Sequence, residues 1–223
     1  NSSADFSRSA STIAASNALL TSLEEPPARA ILILTADAKE NLLETIASRC
    51  SILRLRPLGV QKCAEILQEK HQLTEEAAKR LAHLAGGRVG TAIRYAQDES
   101  QLDSYEDALA QLLDILPQSK RARLQYVETL SKGKGSQRQT VANLLGIWLT
   151  FWRDLLIAHS QANLPLVNLK HEGSLKTLAA QLELTQIETT LKAHEKGLEQ
   201  IDANVNPRLL IENILLNIPR LRV

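Results

Sequence analysis

Apolar positions follow two different periods along this chain, and the change falls near residue 57. Before it, helix and strand patterns alternate. Ile13, Leu19, Leu20 and Leu23 recur at helical spacing over residues 11–25, and Pro26-Pro27 stops that helix. Ala30–Leu34 is a short Ile- and Leu-rich run that suits a buried strand. A short helix is expected over Glu40–Ile46, and a second strand over Ser51–Leu55. Strands interleaved with helices predict a parallel sheet, and two strands leave it unfinished. The pattern therefore implies that the sheet continues in residues this chain lacks.

From Pro57 to the end the period is helical. Val60–Lys70, Thr74–Ala85 and Val89–Gln97 predict a compact three-helix module. Thr74 is the expected N-cap of the second helix, with Glu75 and Glu76 at the positive end of its dipole, and Gly86-Gly87 ends it. A helical bundle is expected beyond about Ser104. Its strongest helix covers residues 137–159, where Val141, Leu144, Leu145, Trp148, Trp152, Leu155 and Leu156 form one stripe at spacings of three and four. That places both tryptophans in a core. Ile187, Leu191, Leu198 and Ile201 mark another helix, and the last opens at Asn206 with Pro207 in the first helical position, where its missing N–H costs nothing.

Composition narrows the class. The 223 residues are 44% hydrophobic with a formal charge of +1. A chain that held DNA mainly by its own surface would show a basic excess or stripe, so any nucleic-acid role is expected to be shared with partners. Cys50 and Cys63 form no metal-ligand spacing and suggest reduced thiols. No uninterrupted apolar run approaches the ~20 residues of a membrane span, and the first residues show no signal-peptide pattern. A cytoplasmic protein with no membrane partner is expected. The chain neither starts with Met nor contains one, a further sign of a fragment.

Two stretches look chemical and are read otherwise. Lys132–Arg138 (KGKGSQR) is glycine-rich and basic, but it lacks the phosphate-loop spacing and a preceding strand, so an interhelical loop is expected. Glu24 and Glu25 are adjacent on a helix, hence about 100° apart, and read as a solvated helix end rather than an acid–base pair.

Several segments together resemble one family. Ser16–Pro27 (SNALLTSLEEPP) is followed by the ILILT strand and then by Leu42–Cys50 (LLETIASRC). Later come Trp152–Leu156 (WRDLL), Asn204–Leu209 (NVNPRL) and the closing LLNIPRL. In this order the segments resemble the AAA+ clamp-loader family, in the delta-prime branch associated with bacterial DNA polymerase III. The resemblance runs from about Asn17 to Leu221 and is patchy in between. It implies a mainly α chain in three parts. These are the C-terminal remnant of a P-loop α/β core (residues 1–56), a three-helix lid (57–98) and an all-helical collar that joins subunits in a ring (99–223).

The resemblance also implies site residues. Arg49 would be an arginine finger, reaching a neighbouring subunit's ATP in trans, with Ser48 and Cys50 supporting its turn. A planar, permanently charged guanidinium suits phosphate oxygens. Read locally, Arg49 fits better as an arginine capping a helix C-terminus, and the flanking motif reverses that preference. Thr35 is either a sensor of the γ-phosphate or ordinary turn chemistry at a strand end. ATP-hydrolysing relatives carry "GSxRDA" in the lid, where this chain has Gly87–Ala92 (GRVGTA), with Gly90 at the Arg position and Arg88 and Arg94 facing elsewhere. A non-hydrolysing ring subunit is thus expected, with no cofactor or metal of its own. Mg-ATP would sit on neighbours, and the partners would be motor (gamma/tau-type) and delta subunits, the sliding clamp and primed DNA. Whether the chain counts as an enzyme is open, since it has no complete active site. The alternatives are a motor subunit whose nucleotide-binding motifs are missing, and a free-standing helical interaction module.

Overall fold

The computed structural model describes residues 20, 23–24, 31–36, 42–131, 136–203 and 205–221. The chain divides into two compact units, Asn1–Arg56 and Pro57–Val223. Helices dominate, and among the described residues there is no strand.

In the first unit the structure departs from the expected strands. Residues 31–36 and 51–56 are neither helical nor part of a strand ladder. Ile31, Ile33, Leu53 and Leu55 are 82–88% exposed. Apolar, β-branched residues favour an extended backbone, but a strand exists only when a second one, roughly 4.8 Å away, takes its N–H and C=O groups. No described segment supplies that partner. Of the helix expected over residues 11–25, only residues 20, 23 and 24 are described, and all three are helical. The remainder lies outside the described residues. The expected short helix is a single turn, α1 (Glu44–Ala47), with Ile46 and Ala47 buried.

The second unit begins with three helices, α2 (Val60–His71), α3 (Glu75–Leu84) and α4 (Val89–Gln97). Gln72 closes α2 in the left-handed conformation. The Thr74 hydroxyl accepts the Ala77 N–H at 3.3 Å and starts α3 as expected. Their shared core is built on Cys63, Ala64, Leu67, Ala78, Leu81, Ala82, Ala85 and Ala92. So many alanines let the helix backbones approach closely. Burial pushes the Cys63 thiol up from its ordinary pKa, leaving a small inert apolar group. Gly87 lies at φ +76, and a Cβ there would stand 1.9 Å from the Leu58 carbonyl oxygen. The Leu58 N–H donates to the Gly87 carbonyl at 3.1 Å. Only glycine permits that approach.

A single residue, Asp98, separates α4 from α5 (Glu99–Ile115) and caps it, accepting the Ser100 N–H at 3.1 Å. Then follow α6 (Lys120–Ser131), α7 (Gln137–Ser160), a 3-10 turn (Leu169–His171), α8 (Glu172–Ala179), α9 (Leu184–Asp202) and α10 (Pro207–Asn217). Helix α7 is the centre, packing against α9, α8, α5 and α10. Its expected stripe is buried, apart from half-buried Leu156, and Phe151 joins it with no accessible surface. Each such large side chain contributes roughly 1.5–3 kcal/mol of burial. The Trp148 indole N–H donates to the Ala108 carbonyl at 2.8 Å, fastening α7 to α5. By length and composition α7 could cross a membrane, which the broken apolar run did not suggest. Here its apolar stripe is covered by the other helices of the bundle, and it also carries the buried carboxylate of Asp154.

Candidate functional site

Arg49 follows the single turn α1, whose C-cap is Ser48. Four backbone bonds wind this turn: Ile46 N–H and Ala47 N–H to the Leu43 carbonyl, Ser48 N–H to the Glu44 carbonyl, and Arg49 N–H to the Ile46 carbonyl. Burial of Ile46 and Ala47 anchors the turn and leaves Ser48 and Arg49 on the surface. The Thr45 carbonyl accepts from the Ser48 hydroxyl at 3.1 Å and from Arg49 Nη1 at 3.0 Å. Arg49 Nη2 pairs with Glu24 Oε1 at 2.7 Å.

Both local readings of Arg49 therefore have a physical basis. The guanidinium does satisfy a helix-end carbonyl. It also remains 40% exposed, with N–H groups left over. An ion pair this open contributes only about 0–1 kcal/mol to the stability of the fold. Glu24 is a specific partner rather than only a solvated helix end, and Glu25 lies outside the described residues.

The other expected positions separate. Cys50 is half-buried and free. Thr35 is exposed in the unpaired 31–36 segment, with no described phosphate-binding neighbour. Gly90 sits in the first turn of α4 with open space where a Cβ would stand, so packing does not impose glycine there. Arg94 donates to Thr91 at 3.3 Å. Arg88 and Thr91 line an open cleft with Tyr95, Ser104, Asn143 and Thr150, between α4, α5 and α7. Of the loop expected over Lys132–Arg138, residues 132–135 lie outside the described residues, Ser136 is the N-cap of α7, and Gln137 and Arg138 are its first residues. Arg138 donates to the Ile201 carbonyl, and Arg208 pairs with Glu212 at 2.9 Å.

The burial of several polar residues escaped the sequence reading, Arg123, Asp154 and His194 among them. Arg123 is 2% exposed, and its guanidinium donates to the carbonyls of Leu116, Leu215, Ile218 and Pro219 at 2.7–3.1 Å. Burial, then the nearby Arg220 charge, pull its pKa below the ordinary arginine range. Asp154, fully buried, accepts the N–H groups of Val167 and Asn168 and the Asn168 side-chain amide. Burial raises its pKa, opposed by those donors. His194 lies between Trp148 and Trp152, with ring centroids 6.4 and 6.2 Å away. Its Nδ1 donates to the Thr190 carbonyl at 2.8 Å, which fixes a tautomer with bare Nε2. Burial pulls its pKa down to about 4.

These contacts explain the terminal motifs physically. In WRDLL, Trp152 fills the core and Asp154 gathers the 167–168 backbone. In NPRL, Asn206 Oδ1 accepts the Arg208 and Leu209 N–H groups at 3.0 and 3.4 Å. In IPRL, Ile218 and Pro219 offer carbonyls to Arg123, Arg220 Nε donates to the Pro117 carbonyl at 2.7 Å, and the Leu221 N–H donates to the Leu116 carbonyl at 3.1 Å.

Comparison with known proteins yields two family matches. Residues 9–59 match the family described as DNA polymerase III, delta subunit. Residues 99–220, more than half of the chain, match DNA polymerase III, delta subunit, C terminal. The chain is 35% identical over 89 residues to DNA polymerase III subunit delta' of Escherichia coli (strain K12), covering 40% of this chain and 27% of that protein. It is 24% identical over 205 residues to subunit delta' of Bacillus subtilis (strain 168), covering 92% and 61%. It is also 24% identical over 220 residues to DNA polymerase III subunit gamma of Buchnera aphidicola subsp. Schizaphis graminum (strain Sg), covering 90% and 60%. The chain thus spans between 27% and 61% of the length of these relatives.

Proposed function

This chain belongs to the DNA polymerase III delta-subunit family, of the delta-prime type, and from that premise we propose that it serves DNA replication as a non-hydrolysing clamp-loader subunit. In this reading residues 99–223 form the collar that joins it to motor and delta subunits, and residues 57–98 form the lid. The assembled ring, rather than this chain alone, engages the sliding clamp and primed DNA. Arg49 is presented to Mg-ATP held by a neighbour. The observation that supports this best is the placement of Arg49. It ends a short, anchored turn, partly exposed, with N–H groups that no described residue engages. Placed in trans, such a finger is worth roughly 10³–10⁵ in rate.

Gly90 supports the non-hydrolysing part of the reading. The structure has room for a larger side chain there, yet the chain places no cation at that lid position. One specific observation favours a second reading, a motor-type subunit: the gamma relative aligns along almost the whole chain. Nucleotide binding separates the two. The full-length protein, mixed with motor subunits, is expected to enter a stable ring while failing to bind a labelled ATP analogue by itself. Tight binding of the analogue by the isolated full-length protein would assign it to the motor type. Failure to enter the ring would remove it from the clamp loader.

A further inference from the structure

We propose that Glu24 is a positioning residue for Arg49, holding one edge of its guanidinium so that the remaining edge is aimed outward; this rests on the proposed action of Arg49 in trans. The two residues come from separate motif segments that the sequence reading left unconnected. Their contact at 2.7 Å is at the short end for a charge-assisted hydrogen bond. Arg49 Nη1 is simultaneously held by the Thr45 carbonyl at 3.0 Å. One anchor would leave the planar group free to swivel. Two anchors, on different nitrogens and from different segments, define its plane.

Among the described residues, Nε–H and the second hydrogens of both Nη atoms have no partner, enough to address a phosphate while both anchors hold. An arginine that must find its orientation for each encounter loses rotamer freedom in the transition state, whereas a pre-oriented one has lost it beforehand. Glu24 and Arg49 side chains are 53% and 40% exposed, so neither supports a core and their replacement leaves the fold intact.

The test uses full-length protein in a ring rebuilt with motor subunits, clamp and primed DNA. Native protein is compared with Glu24→Ala, Glu24→Gln, Arg49→Ala and the Glu24→Ala/Arg49→Ala double variant, all with matched thermal midpoints. Glu24→Ala is expected to lower the ring's kcat for ATP about tenfold, less than the ~10²-fold that a badly misplaced group costs, with KM unchanged. Glu24→Gln, which keeps an acceptor oxygen, should recover most of that loss. In the Arg49→Ala background, Glu24→Ala should change nothing further. If Arg49→Ala slows turnover but Glu24→Ala does not, or raises it, Glu24 does not position the finger. A further loss in the double variant would show Glu24 acting independently of Arg49. If Arg49→Ala itself leaves turnover unchanged, the finger reading fails and this inference falls with it.

Discussion

Arg123 and His194 are buried in the same helical core in opposite charge states, and each state follows from its partners. Arg123 keeps its charge because four carbonyls at the ends of α5 and α10 accept from it. Arg123→Met removes the charge but strands those carbonyls. It is expected to destabilise the fold by at least about 3 kcal/mol, as read by urea denaturation. His194 is held neutral: its pKa falls from 6.5 to about 4 through burial between two indoles. A depressed pKa means that the unfolded chain binds the proton first. The stability conferred by neutral His194 is full above pH 6.5 and is lost as pH falls toward 4, by about 3 kcal/mol in all. His194→Leu should remove that part of the acid dependence, so the native-minus-variant difference in stability should shrink steadily between pH 7 and pH 4. A difference independent of pH would mean that His194 is charged or already solvated.

At the scale of elements, two glycines close together in sequence make a contrast. Gly87 has φ +76 and the Leu58 carbonyl where a Cβ would be. Gly87→Ala should cost about 2–4 kcal/mol, through strain and a forced shift of the 57–59 segment. Gly90 lies in a helix beside open space, so Gly90→Ala should be neutral or stabilise by up to about 1 kcal/mol. Thermal melts of the two variants check both signs together. The helices were legible wherever a stripe or a cap announces them. Thr74, Asn206 and Pro207 start α3 and α10 where their chemistry predicts, and α7 runs from Gln137 to Ser160, one residue past the expected end. Arg123 and Asp154 were not legible because periodicity assigns charges to solvent. The partners of Arg123 are main-chain carbonyls 7–96 residues away, and those of Asp154 include main-chain N–H groups 13–14 residues away, which no side-chain pattern encodes. A faint signal existed: Arg123 stands four residues before buried Val127, and Asp154 interrupts the long apolar helix α7.

For the molecule as a whole, the two units show the limits of pattern reading. Helices satisfy their backbone internally, so those of residues 57–223 form from the sequence at hand. The Ile- and Leu-rich runs at 31–34 and 51–55 need neighbours to become strands, and the described residues provide none. The candidate site lies in this less complete unit. Nothing in its periodicity distinguishes Arg49 from an ordinary helix-end arginine; the flanking LLETIASRC segment singles it out, and the structure adds Glu24. The role of Arg49 is therefore decided by ATP turnover in a clamp loader rebuilt with the full-length protein, native or Arg49→Ala, with clamp and primed DNA present and ring assembly verified. With Arg49 acting in trans, the Arg49→Ala ring assembles and its turnover falls by roughly 10³-fold at the site that Arg49 faces. An assembled variant ring that turns over ATP at the native rate would contradict it, leaving Arg49 as a helix cap paired with Glu24.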